Sequence, residues 1–312
     1  MLYGREVRRV CRGASLTSVV TAVVALALVA AACSTPEPAL RHPDGTGPSR
    51  YVALGDSWVS GPLIGEPVGD PVGCGRSANN YPHQVAHLLN VREFVDASCG
   101  SAKTIHLTER QKDNLGTFAR PQFDALTEDT TLVTIGIGGN DVGFDSIALK
   151  CVNLLTVPLG RPPFGKPCVD SFVKDGKDAV SKKIAETRPK LDAALAGIRE
   201  RAPRAKIVVT NYMGPFPDTG DGCFPQVPLL PVDLAYLRAK FKELNATVAA
   251  AAEAAGATLV DLYGPSIGHD MCQPWSVAWI NVLAIDPPGI PLHPNAIAHA
   301  RFAPLIAAAA AN

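Results

Sequence analysis

Tyr51-Val52-Ala53-Leu54-Gly55-Asp56-Ser57 is the stretch on which the fold turns. Its four leading residues fit a strand, and Gly55-Asp56 supplies turn chemistry directly after it. Four further apolar runs, Phe94 to Ala97, Thr131 to Ile137, Ile207 to Thr210 and Thr258 to Leu262, are likewise followed by turn residues. Helical patterns lie between them. The clearest carries Leu234, Leu237, Phe241, Leu244 and Val248 on one face, with Asp233 placed to cap its start and Gly256 past its end. Others span about Asn80 to Leu89, Lys177 to Glu200 with Pro189 interrupting, and Asn295 to the C-terminus. Parallel strands need crossovers, and right-handed crossovers return helices to one face or the other. The alternation therefore predicts an α/β fold of three layers, α/β/α, around a parallel sheet of about five strands.

Chemistry-bearing residues fall at the ends of these runs. Ser57 follows the first strand at its carboxyl end, where a parallel sheet opens its functional edge. The third run ends in Gly136-Ile137-Gly138-Gly139-Asn140-Asp141, which brings a side-chain amide to the same edge. An amide N–H stabilises an oxyanion. Leu292-His293-Pro294-Asn295 sets a histidine before the last helix, where a neutral imidazole can take a proton from a serine.

In this order the Gly-Asp-Ser, Gly-Gly-Asn-Asp and His-Pro blocks resemble the SGNH (GDSL) hydrolase family. The likeness covers Tyr51 to Asn312, includes the segment from Arg76-Ser77 to Tyr81-Pro82, and is nearest to secreted actinobacterial lipases and esterases. It implies a flavodoxin-like sheet with strands one and three adjacent at the switch point. It also implies a carboxylic ester hydrolase with Ser57 as nucleophile and His293 as base. The oxyanion hole of the family combines the nucleophile's N–H, a backbone N–H after strand two, and the asparagine side chain. Here these correspond to Ser57, the segment Cys99-Gly100-Ser101-Ala102, and Asn140. Ungapped alignment puts Ser101 where the family usually has glycine, so Ser101 is the first candidate donor and Gly100 the second. The family's acid usually stands three residues before the histidine, a position occupied by Ile290, and the nearest acid upstream is Asp286. The preferred expectation is a dyad whose histidine is oriented by the Ile290 backbone carbonyl, as in some members of the lipase branch. The alternative folds Asp286 back as the acid of a triad.

Other signals have plainer readings. Asp56 and Asp141 are expected to fix local turns. His83 and His87, one helical turn apart, lack the glutamate of His-Glu-x-x-His and a third ligand, so they read as a solvated face. His106, His269 and His299 read as surface residues, His269 being the runner-up base. Gly136-Ile137-Gly138 lacks the third glycine of a dinucleotide fingerprint at Asp141. Phe164, Phe216, Phe224, Leu229, Leu230, Trp275 and Trp279 fall in Pro- and Gly-rich loops, where they line an acyl groove or simply pack the loops. The chemistry requires no metal, nucleotide or organic cofactor.

Composition bounds the rest. The 312 residues carry 29 basic and 29 acidic side chains, leaving no surplus field to hold nucleic acid. The expected partner is a small-molecule ester or lipid, and the expected state a monomer. Residues 1–32, with Arg5, Arg8, Arg9 and Arg12 before an apolar run from Val19 to Ala32, read as an export signal. Cys33 follows Ala30-Ala31-Ala32 as the acylated cysteine of a bacterial lipoprotein would, which implies attachment to the outer face of the membrane; plain secretion and an uncleaved anchor are the other readings. Residues 33–50 read as a flexible tether and 51–312 as the hydrolase domain. Beyond Cys11 and Cys33, six cysteines remain for an oxidising compartment. No two stand in a Cys-x-x-Cys spacing for zinc, so three disulfides are expected. Pairing Cys74 with Cys99, Cys151 with Cys168 and Cys223 with Cys272 closes the shortest loops, although sequence alone does not choose. Long apolar loops favour lipid or alkyl esters; carbohydrate O-acetylesterase, acyltransferase and non-catalytic envelope lipoprotein are the rival readings.

Overall fold

The computed structural model describes residues 40–42, 44–153, 166–282 and 289–312. Within them the sheet strands are β1 (Leu40–Arg41), β2 (Tyr51–Gly55), β3 (Glu93–Asp96), β4 (Leu132–Gly136), β5 (Lys206–Thr210) and β6 (Thr258–Val260). Their order is β1-β3-β2-β4-β5-β6. The five strands read from the sequence are all parallel, and all five residues of β2 are buried, as befits a strand covered on both faces. The order reverses between β2 and β4, the switch point of a flavodoxin-like sheet. Gly55 pairs with Gly136, so the chain leaves β2 and β4 at the same level.

The helices that matter are α1 (Ser57–Ser60), α2 (Tyr81–Leu88), α3 (Gly139–Val142), α4 (Phe144–Cys151), α5 (Ala179–Arg201), α6 (Pro231–Ala254) and α7 (Ala296–Ala311). α5 packs on α6 and α2 on α7, so helices flank the sheet in a three-layer α/β/α arrangement. Among the described residues no helix is long and apolar enough to cross a membrane.

Three expectations about elements need correction. Part of the stretch read as tether is built into the sheet: Leu40 and Arg41 pair antiparallel with Phe94 and Glu93, and the amides of His42, Gly47 and Arg92 tie His42, Gly47 and Pro48 to the chain at 90–92. The open edge of β3 presents unpaired backbone groups that a neighbouring segment satisfies. A Cβ at Gly47 would lie 1.8 Å from the Leu89 carbonyl oxygen, so only glycine permits that approach. Asp233 does not cap α6, which begins with Pro231 and needs no donor satisfied there. Its buried carboxylate accepts the amides of Cys168 and Val169, each at 3.0 Å, and so holds the short helix Val169–Phe172. Pro189 does not interrupt α5, which runs through it. Disulfides join Cys74 to Cys99, Cys151 to Cys168 and Cys223 to Cys272.

Candidate active site

Asp56 closes β2 in an extended conformation and caps α1, its Oδ1 accepting the Trp58 amide at 2.9 Å. Ser57 is thereby the first residue of the helix, at the carboxyl edge of the sheet. Its Oγ stands 2.7 Å from His293 Nε2, and both side chains are buried. His293 arrives from a loop laid against residues 279–281: Ile280 bridges Pro294, and the Leu292 amide donates to the Asn281 carbonyl. Leu292 has φ 62°, a left-handed conformation unusual for leucine that turns the next residue toward the serine.

His293 Nδ1 donates to the Pro291 carbonyl at 2.9 Å. A carbonyl only accepts, so the proton sits on Nδ1 and Nε2 keeps its lone pair toward Ser57. The orienting carbonyl is therefore that of Pro291 and not of Ile290 as expected. Two residues is the short reach at which a tight loop can turn its own carbonyl back onto a ring. Asp286 lies outside the described residues. Burial lowers the His293 pKa; the bond to Pro291 and the Asp145 carboxylate work the other way.

Asn140 sits in α3, and its Nδ2 donates to the Ala102 carbonyl at 3.0 Å. That bond fixes which way the amide faces and leaves its second N–H. Gly100 is not available as a donor, since its amide is bonded to the Cys74 carbonyl at 2.8 Å. The amide of Ala102 goes to Cys99, and among the described residues the amide of Ser101 has no partner. Ser101 has φ 65°, and its hydroxyl bonds Asn114 Oδ1 at 3.1 Å. The disulfide from Cys74 to Cys99 anchors this segment one residue before Gly100.

Ser57, Trp58 and Asn140 line an open cleft whose apolar walls include Phe144, Ala148, Phe216, Phe241, Leu244 and Met271.

A serine hydroxyl on an imidazole, beside a side-chain amide and in an apolar cleft, is the equipment of acyl transfer. Residues 53–301 match the GDSL-like Lipase/Acylhydrolase family. The chain belongs to that family. It is 40% identical over 256 residues to Lipase 2 of Streptomyces coelicolor, covering 81% of this chain and 83% of the relative. Among solved structures, the extracellular lipase of Streptomyces rimosus is 27% identical with a TM-score of 0.61, covering 84% of this chain and 99% of that one. Phospholipase A1 of Streptomyces albidoflavus, at 23% identity and a TM-score of 0.66, shares the fold over 84% of this chain and 99% of its own. As a GDSL-like acylhydrolase the protein is a carboxylic ester hydrolase.

In this GDSL-like lipase several sequence readings are redrawn. Among the described residues of the set expected either to line an acyl groove or to pack the loops, only Phe216 lines the cleft. Leu229, Leu230 and Trp279 are buried, Phe224 is half-buried, Trp275 is 69% exposed, and Phe164 lies outside the described residues. Helices supply the walls instead: Phe241 of α6 packs on Phe144 of α4 with ring centroids 4.4 Å apart. The apolar stripe of α6 was visible, but nothing local marks Phe241 as facing a cleft. His83 is not solvated but half-buried, with Nδ1 on Asn80 Oδ1 at 2.8 Å. His299 is fully buried with its pKa pushed down to about 3 by burial, and its Nδ1 accepts the Tyr81 amide. His269, stacked on Trp279 and bonded to the Val277 carbonyl, is engaged elsewhere. Asp141 accepts the amide and hydroxyl of Thr104, tying two segments together where a local turn was expected.

Proposed function

We propose that the protein hydrolyses lipid or alkyl esters through an acyl-enzyme on Ser57. His293 Nε2 takes the hydroxyl proton, Oγ attacks the ester carbonyl, and the resulting oxyanion is held by Asn140 Nδ2 and the amides of Ser101 and Ser57. The imidazolium returns its proton to the departing alcohol, and water, activated in the same way, releases the acid. The single observation that carries this reading is the 2.7 Å contact between Ser57 Oγ and a histidine whose other nitrogen is already committed to a carbonyl. The apolar walls of the cleft support an acyl chain longer than acetyl, since each buried methylene adds about 0.8 kcal/mol.

A fluorophosphonate probe tests the assignment. It is expected to label the wild-type protein at Ser57 and to leave Ser57→Ala unlabelled; equal labelling of both would refute it. The same preparation should cleave p-nitrophenyl butyrate and octanoate in preference to acetate, whereas a carbohydrate O-acetylesterase would prefer acetate.

The bond to Pro291 leaves the histidine oriented without an acid. Asp286→Asn is therefore expected to keep turnover within about threefold of wild type, whereas loss of a true triad acid costs about 10⁴-fold. A loss of the larger size would restore the triad.

Because burial lowers the His293 pKa, neutral imidazole persists below the ordinary histidine value of 6.5. Activity is then present above the lowered value and lost as pH falls through it. A profile of kcat/KM against pH should place its acid limb below 6.5. A limb near 7 would point instead to Asp56, whose buried carboxyl is raised to about 7.

The arginine-bearing leader, three disulfides and the likeness to an extracellular lipase support export from the cytoplasm. Cys33, outside the described residues, is the residue through which a lipid anchor would hold it to the outer face of the membrane.

A further inference from the structure

The motif blocks name residues at the ends of β2 and β4, but a third strand end meets them. Tyr212, two residues after β5, turns its hydroxyl into the gap between the two blocks. That hydroxyl donates to Asp56 Oδ2 at 2.7 Å and accepts the Gly139 amide at 2.8 Å. Asp56 caps the helix that begins with Ser57, and Gly139 opens the helix that carries Asn140. We infer that Tyr212 is a positioning residue that locks the nucleophile and the oxyanion donor into one rigid unit.

Several features make the tie stiff. The Tyr212 backbone is bracketed by Asn245 of α6, whose Oδ1 accepts the Tyr212 amide at 2.9 Å while its Nδ2 donates to the Tyr212 carbonyl at 2.7 Å. Its ring packs edge-on against Trp58, the residue after the nucleophile, with centroids 5.1 Å apart. A Cβ at Gly139 would come within 3.2 Å of the tyrosine Oη, tighter than an ordinary contact, so the glycine favours this close approach. The hydroxyl's proton is given to Asp56 and it already accepts from Gly139, so Tyr212 acts through these two and is not itself an oxyanion donor.

The tie also accounts for Asp56. A fully buried carboxyl is costly unless its oxygens are satisfied, and here one oxygen accepts the Trp58 amide and the other the tyrosine hydroxyl. Each bond favours the ionised form against the burial that opposes it.

The inference rests on Ser57 being the nucleophile, and the test keeps the two apart. Fluorophosphonate labelling of wild type at Ser57 establishes the nucleophile. Tyr212→Phe then keeps the ring and removes the hydroxyl. A loss of positioning is expected to lower kcat on p-nitrophenyl butyrate by about 10- to 100-fold with KM within about twofold, since misplacement of reacting groups acts on turnover. The rate constant for fluorophosphonate inactivation should fall in parallel. Asp56→Asn, which keeps the cap on Trp58 but offers Tyr212 an N–H in place of an acceptor, breaks the same tie from the other side and serves if Tyr212→Phe does not fold. The double variant should lose no more than the more impaired single variant. Turnover of Tyr212→Phe within twofold of wild type, a rise in KM alone, or losses that multiply in the double variant would each overturn the inference while leaving the labelled serine in place.

Discussion

Ser57→Ala, His293→Ala and the variant carrying both are expected to be almost equally inactive, each losing on the order of 10⁴- to 10⁶-fold in kcat. The two side chains work as one unit. Without the imidazole, Oγ keeps its proton at neutral pH and is a poor nucleophile; without Oγ, the imidazole has nothing to activate. The second removal therefore subtracts little from what the first has left. Turnover of p-nitrophenyl butyrate by the three variants, compared with the buffer rate, measures this directly. Losses that multiply would mean that Ser57 and His293 act independently, against their 2.7 Å contact. The bond to Pro291 makes the comparison informative, because among the described residues the partner of His293 Nδ1 is a backbone carbonyl and not a carboxylate.

Asn140→Ala should lower kcat by about 10²- to 10³-fold with little change in KM, the signature of a donor used when charge develops on the carbonyl oxygen. The amide donates one N–H to the Ala102 carbonyl, which distinguishes nitrogen from oxygen and aims the remaining N–H. Alanine preserves the short helix while removing that donor. Asn140→Asp should be worse than Asn140→Ala, since it substitutes a negative charge for a donor beside a developing oxyanion. A rise in KM with kcat intact would reassign Asn140 to substrate binding.

The readings that survived concern residues whose surroundings in the chain are enough to place them. A buried strand followed by Gly55-Asp56 puts Ser57 at a sheet edge whatever lies elsewhere. The same holds for Asn140 after β4 and for His293 before α7. The three disulfides join the nearest cysteines in the chain, the case in which loop length alone points the right way. The readings that failed depend on neighbours distant in sequence. Leu40 and Arg41 form a strand because β3 has an edge to offer, not because two residues have strand character. Asp233 stabilises a helix 64 residues away from its own position, and Phe241 faces a cleft only because α4 and α6 meet there.

From the sequence alone came the alternation of strands and helices and the places of Ser57, Asn140 and His293 at the ends of those elements, because periodicity and turn chemistry act over a few neighbouring residues. The adjacency of strands one and three came only from the family resemblance. Tertiary structure decided the rest: the carbonyl of Pro291 as the histidine's partner, Ser101 over Gly100 as the free amide, the helical walls of the cleft, and Tyr212 between Asp56 and Gly139. The first depends on how one loop turns back on itself, and the others on distances of a few ångströms between segments that only the packing of the whole domain brings together; no periodicity or turn signal encodes such a distance.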